Sequence, residues 1–125
     1  MGMLEWIEEK PDFTAAVEFR RSEDGGRKAP PLQGYRCDFQ YEDDPEDRAW
    51  MIYPCFLDQT GRPLTEGASV PAKAHAHFRI LSRELRPVGH ATRLHIGTRF
   101  FLVEGARRVA DGTVTQLLAI HDAAG

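Results

Sequence analysis

The sequence contains no asparagine. That absence removes every N-glycosylation site, every Asn-Gly hairpin turn and any base-reading motif that needs an Asn amide. Cysteine is scarce as well: Cys37 and Cys55 allow one bridge at most, and both are expected as reduced, buried thiols. No apolar run approaches the ~20 residues that cross a bilayer, so no membrane partner is expected. The opening MGMLEWIEEK carries acids where a secretory leader would carry lysines and an apolar block, which points to the cytoplasm. Also missing are GxxxxGKS or GxxxxGKT, GxSxG, HExxH and CxxC. The P-loop phosphate cradle, the serine elbow and the common zinc spacings go with them. Ser22, Ser69 and Ser82, the three serines, sit in no nucleophile signature. Cys37 lies among Tyr35, Phe39 and Tyr41, the setting of a packed thiol and not of a nucleophile. The expectation is a protein that is not an enzyme and holds no cofactor.

What is present suits one domain. A chain of 125 residues buries roughly two thirds of its unfolded surface without help from disulfides or metal. Residues 1–60 hold 7 Lys and Arg against 14 Asp and Glu, and residues 61–125 hold 9 against 5. The whole chain, at −3, has no global attraction for nucleic acid, but its second half keeps room for a basic face.

Apolar residues alternate along most of the chain, the period of half-buried strands. Phe13, Ala15, Val17 and Phe19 share one face; Tyr35, Cys37, Phe39 and Tyr41 share another. Residues 49–56 form a third apolar stretch, whose Pro54 suggests an edge or a bend. Residues 72–81 put Ala74, Ala76, Phe78 and Ile80 opposite His75, His77 and Arg79. Residues 93–96, 99–104 and 109–120 read as further strands, with Gly105 and the Asp111-Gly112 pair supplying bends between or within them. Loops at 22–34 and 63–67 and a turn at 58–61 separate these stretches. Only residues 3–10 and 81–86 could form helical turns. The pattern predicts an all-β, six-stranded antiparallel barrel over residues 11–120, with an N-terminal extension at 1–10 and a tail at 121–125.

Three clusters could carry function. His75 and His77 project from one strand face and could share a metal ion, given a third ligand such as His90 or His95. Two solvated histidines on a polar face are the plainer account, and the one expected. Arg93, Arg99, Arg107 and Arg108 could grip phosphate, or simply balance Glu104 and Asp111. Asp43, Asp44, Glu46 and Asp47 belong to an acidic run that reads as an exposed loop, or as a docking patch for a basic protein.

The loops carry a family resemblance. Glu23-Asp24-Gly25-Gly26-Arg27-Lys28-Ala29-Pro30, followed by Gly34-Tyr35-Arg36 and Phe39, resembles the signature of the third, β-barrel domain of translation elongation factor Tu and elongation factor 1-alpha. Residues 97–107, Gly-Thr-Arg-Phe-Phe-Leu-Val-Glu-Gly-Ala-Arg, are similar to that domain's Arg-Phe strand and Glu-Gly-Gly-Arg turn. The likeness runs from about Lys10 to Leu118. It implies a Greek-key barrel in which Gly25-Gly26 folds a loop back and Gly105 turns the last hairpin. With the GTPase and second domains missing, no GTP binding is implied. The family touches the T-stem of tRNA at positions matching Arg36, Gly105 and Arg107. Asp38 and Val103 stand where the family has Gln and Arg, which weakens a phosphate contact. The function expected is a protein-binding module. tRNA or ribosomal RNA binding through Arg36, Arg99, Gly105, Arg107 and Arg108 is the alternative, and a small metal protein using His75 and His77 a further one.

Overall fold

The structure, a computed structural model, describes residues 11–45, 48–80, 93–105 and 107–118. Six strands, β1 (Phe13–Phe19), β2 (Cys37–Tyr41), β3 (Trp50–Leu57), β4 (Lys73–Ile80), β5 (Arg99–Glu104) and β6 (Arg107–Leu117), form the fold. They close into an antiparallel barrel in the order β1-β4-β3-β2-β5-β6. β2, β3 and β4 run as a meander, while β1 and β5 return by long connections to flank its two ends. That is two overlapping Greek keys. Closure gives every strand a neighbour on both sides over part of its length, which suits strands this rich in apolar residues.

In β1 and β4 the alternation is realised as read, whereas in β2 Gln40, read on the polar face, is buried. Phe13, Ala15 and Val17 of β1 and Ala74, Ala76, Phe78 and Ile80 of β4 all point inward. Val17 is 3% exposed and Phe100 1%. Four phenylalanines fill the centre. Phe13 stacks on Phe78 at 5.1 Å and Phe39 on Phe100 at 4.5 Å, and the two pairs meet edge to face. Edge-to-face contacts satisfy the ring quadrupoles where a flat sandwich would not.

The glycine pair in the 22–34 loop does two different jobs. Gly25 has φ +89°, following a single 3-10 turn at Ser22–Asp24. Gly26 passes so close to β1 that a Cβ would lie 2.0 Å from the Arg20 carbonyl oxygen. Gly105 turns the last hairpin at φ +59°.

Three readings are corrected. Residues 93–96 are not a strand: Thr98 N donates to His95 O at 3.0 Å and His95 N to Thr98 Oγ1 at 2.9 Å, closing a turn completed by Gly97 at φ +95°. The Asp111-Gly112 pair does not separate two strands, since β6 runs from Arg107 to Leu117 through it. Tyr35 and Arg36 precede β2, because Gly34 at φ +100° turns the chain away from the ladder. The helical turns expected at 3–10 and 81–86, and the tail at 121–125, lie outside the described residues.

Pro54 sits mid-strand, and the ladder explains it. β2 pairs with β3 only as far as Ile52. The amides of Pro54 and Phe56 face the side where β2 has ended, so a missing N–H costs nothing there. The gap is filled by a side chain. Gln33, 3% exposed, accepts from Phe56 N at 3.0 Å and donates to the carbonyls of Phe56 at 2.9 Å and Leu64 at 3.1 Å.

Candidate functional site

A groove of about 310 Å³ crosses the outer face of the barrel over the start of β2. The register builds it: Asp38 of β2 lies between Met51 of β3 and Val103 of β5. Arg36 and Gly105 close its end. Met51 is 65% exposed, an apolar side chain standing free at the lip. The Arg36 guanidinium lies 5.2 Å from the Tyr53 ring centroid, which leaves its N–H edges for an outside acceptor. Neither Arg36 nor Asp38 has an ion-pair partner among the described residues. Arg107, two residues beyond Gly105, is held only loosely, 3.7 Å from Glu104 Oε1.

One carboxylate ties the two walls of this groove. Tyr35 Oη and Arg27 Nη1 both donate to Glu104 Oε2, and the Arg27 guanidinium lies 4.8 Å from the Tyr35 ring centroid. Burial pushes the Glu104 carboxyl up. The bonds from Tyr35 and Arg27 outweigh it and hold the group below the usual carboxylate range. Burial, with the Glu104 acceptor beside it, pushes the Tyr35 hydroxyl far up, so it stays a donor. On the neighbouring face, the fork from Arg20 to Asp111, at 2.9 and 3.0 Å, holds Asp111 low against the cost of burial.

Both carboxyls therefore titrate lower folded than unfolded, where Glu lies at ~4.3 and Asp at ~3.9. Their stabilisation is complete above the unfolded values and drains as pH falls through the folded ones. The urea midpoint of the wild type should fall more steeply between pH 5 and 2 than that of Glu104→Gln, which has no charge to lose. Parallel acid limbs would refute this.

The remaining candidates disperse. Arg99 begins β5 and Arg107 begins β6 at the far end of that ladder, roughly 16 Å away along the strand. Arg99 faces Glu42 at 3.4 Å. It lines a second groove of about 440 Å³ over β1 and β6, with His75 on the opposite wall. Arg108 stacks on Phe101 at 4.2 Å and donates Nε to Gln40 Oε1 at 2.9 Å. Buried Gln40 passes the link on, donating to the carbonyls of Pro45 and Arg48 and so anchoring the acidic loop.

In that loop Asp44 has a structural role. Its side chain is 4% exposed, and its oxygens accept from Tyr41 N, Trp50 Nε1 and Arg93. Asp43 pairs with Arg93 at 2.7 Å, and the Arg93 guanidinium lies 3.7 Å from the Tyr41 ring centroid. Glu46 and Asp47 lie outside the described residues.

His75 and His77 do share the outer face of β4. His75 is exposed, while His77 is half-buried with Nδ1 2.9 Å from Thr14 Oγ1, and burial lowers its pKa. No third ligand joins them among the described residues. His90 lies outside those residues. Both cysteines are free thiols. Burial, followed by the charges of Asp38 and Glu104, pushes Cys37 far up, and burial pushes Cys55 up to about 11. Neither supplies a thiolate at neutral pH.

Sequence reasoning missed Met51 and the Tyr35–Glu104 bond. Met51 had a signal, its place opposite Ile52 in the third apolar stretch. No protein-family model and no curated protein matches the chain. Among the described residues no helix is long and apolar enough to cross a membrane.

Proposed function

We propose that the chain is a non-catalytic protein-binding module, built on a barrel of the kind found as the third domain of elongation factor Tu, and that the groove over β2 is its contact surface. One observation carries this reading: Met51 stands 65% exposed beside Arg36 and Asp38, neither of which has an ion-pair partner among the described residues. An apolar side chain flanked by charges of both signs suits a protein surface. A phosphate backbone would run past Asp38 at an electrostatic cost.

The test is affinity purification from cell extract with wild type, Met51→Glu and Asp43→Ser. A partner held by wild type and Asp43→Ser but lost by Met51→Glu is expected. Met51 is exposed but lies opposite Asp38, so the like charges of this change should lower stability by no more than about 1 kcal/mol, which leaves the barrel folded. An identical set of partners for all three proteins would sink the reading.

A second reading is favoured by the meeting of Arg36 and Gly105 on one groove with Arg107 beside them, the positions matching the tRNA contacts of the resembled domain. It predicts a mobility shift with bulk tRNA that is present at ~50 mM salt and strongly weakened at ~200 mM. No shift at the lower salt rejects it.

A further inference from the structure

We infer that Tyr35 and Arg27 are positioning residues for the groove, fixing its Arg36 wall against its Gly105 wall through one oxygen of Glu104. The inference rests on the reading of that groove as the binding surface. The chain connectivity makes the case. Tyr35 is the immediate neighbour of Arg36, and Glu104 lines the groove beside Gly105, so the bond from Tyr35 Oη to Glu104 Oε2 ties the segment carrying Arg36 to the segment carrying Gly105. The β2–β5 ladder ends at Asp38–Val103 and the β2–β3 ladder at Cys37–Ile52, so neither reaches Tyr35 or Arg36. Arg27 reaches the same oxygen from the Gly25-Gly26 loop and also donates to Ala29 O at 3.2 Å, which pins the loop behind the site.

The division of labour on Glu104 has a consequence for binding. Oε2 takes both positioning donors, whereas among the described residues Oε1 meets only Arg107, at the longer 3.7 Å. Arg107 can therefore turn to an acidic group on a partner without loosening the walls. A groove held at fixed width before the partner arrives spares the cost of ordering the hairpin on binding.

Amide hydrogen exchange tests this without any partner. In Tyr35→Phe, the amides of Cys37, Asp38 and Arg107, all in ladders beside the groove, should exchange on the order of tenfold faster than in wild type, the loss of one hydrogen bond to a charged group. Those of Ala15 and Ala76, across the barrel, should not change. Arg27→Gln should give the same local pattern, which keeps the test decisive if one variant fails to fold. Unchanged exchange at the three groove amides, or equal acceleration across the whole barrel, overturns the inference. Should the local acceleration appear while Met51→Glu keeps every partner, the positioning stands and the binding surface lies elsewhere.

Discussion

Gln33→Leu is expected to destabilise the fold by about 3–5 kcal/mol, a large share of the roughly 5–15 kcal/mol that holds a domain together. The side chain is replaced by one of similar size, so packing is nearly conserved and the loss comes from hydrogen bonds. Phe56 N and two carbonyl oxygens, those of Phe56 and Leu64, lose their amide partner in a place that water does not reach. A buried polar group left unpaired costs about 1–3 kcal/mol. The Phe56 carbonyl keeps Leu64 N at 3.0 Å, which moderates its share. Urea unfolding measures the effect, with exposed Gln116→Ala as a control expected within about 0.5 kcal/mol. Gln33→Glu separates the causes further. Its carboxylate would face two carbonyl oxygens and become less destabilising as acid protonates it, which a packing defect would not do. A Gln33→Leu variant within 1 kcal/mol of wild type would mean that the amide does not stand in for a missing strand.

That glutamine shows where the sequence stops being legible. β1, β4 and β5 could be read almost to the residue, because hydrophobic period two is imposed by a core on one side of a strand. Residues 93–96 follow the same alternation over a span too short to decide. Leu94 is fully buried while Ile96 is 70% exposed, and a Thr98 side-chain bond turns the chain between them. Gln33, Gln40 and Asp12 all look like surface residues in sequence. Each is buried because its partners are backbone groups brought in by other segments, as when Asp12 Oδ2 accepts from Ile80 N at 2.7 Å. No local pattern encodes such a meeting.

The site was legible in part for the same reason. Arg36 and Gly105 share a groove, although they lie on segments far apart in sequence. The acidic run looked free because charge counting ignores geometry. Asp44 is bound from three directions, by a backbone amide, an indole and a guanidinium. Arg99 and His75, which belonged to different hypotheses, line one groove because β4, β1, β6 and β5 lie side by side, with His75 opposite Ala16, Ala16 opposite Thr113 and Thr113 opposite Arg99.

Gly112→Ala is expected to destabilise the barrel by about 3 kcal/mol, against the sign that backbone propensity alone would give. A glycine within a strand normally costs roughly 0.5–1 kcal/mol relative to alanine, so alanine should help wherever it fits. Here it does not fit. Gly112 pairs with Phe100 across the β5–β6 ladder, and both face inward. A Cβ at 112 would lie 2.2 Å from Phe100 Cζ and 2.4 Å from Cε2. The ring has nowhere to retreat, being stacked on Phe39 at 4.5 Å and held edge-on by Phe13 and Phe78. The clash must therefore spread through all four rings, and overpacking outweighs the propensity gain. Thermal unfolding should show a melting point lower by roughly 10 °C. Shrinking the obstructing ring should relieve the strain: the double variant Gly112→Ala with Phe100→Leu should be more stable than Gly112→Ala alone, although Phe100→Leu by itself removes core volume. The favourable coupling expected in that cycle is at least about 1 kcal/mol. Additive losses would mean that the glycine is not there to admit the ring.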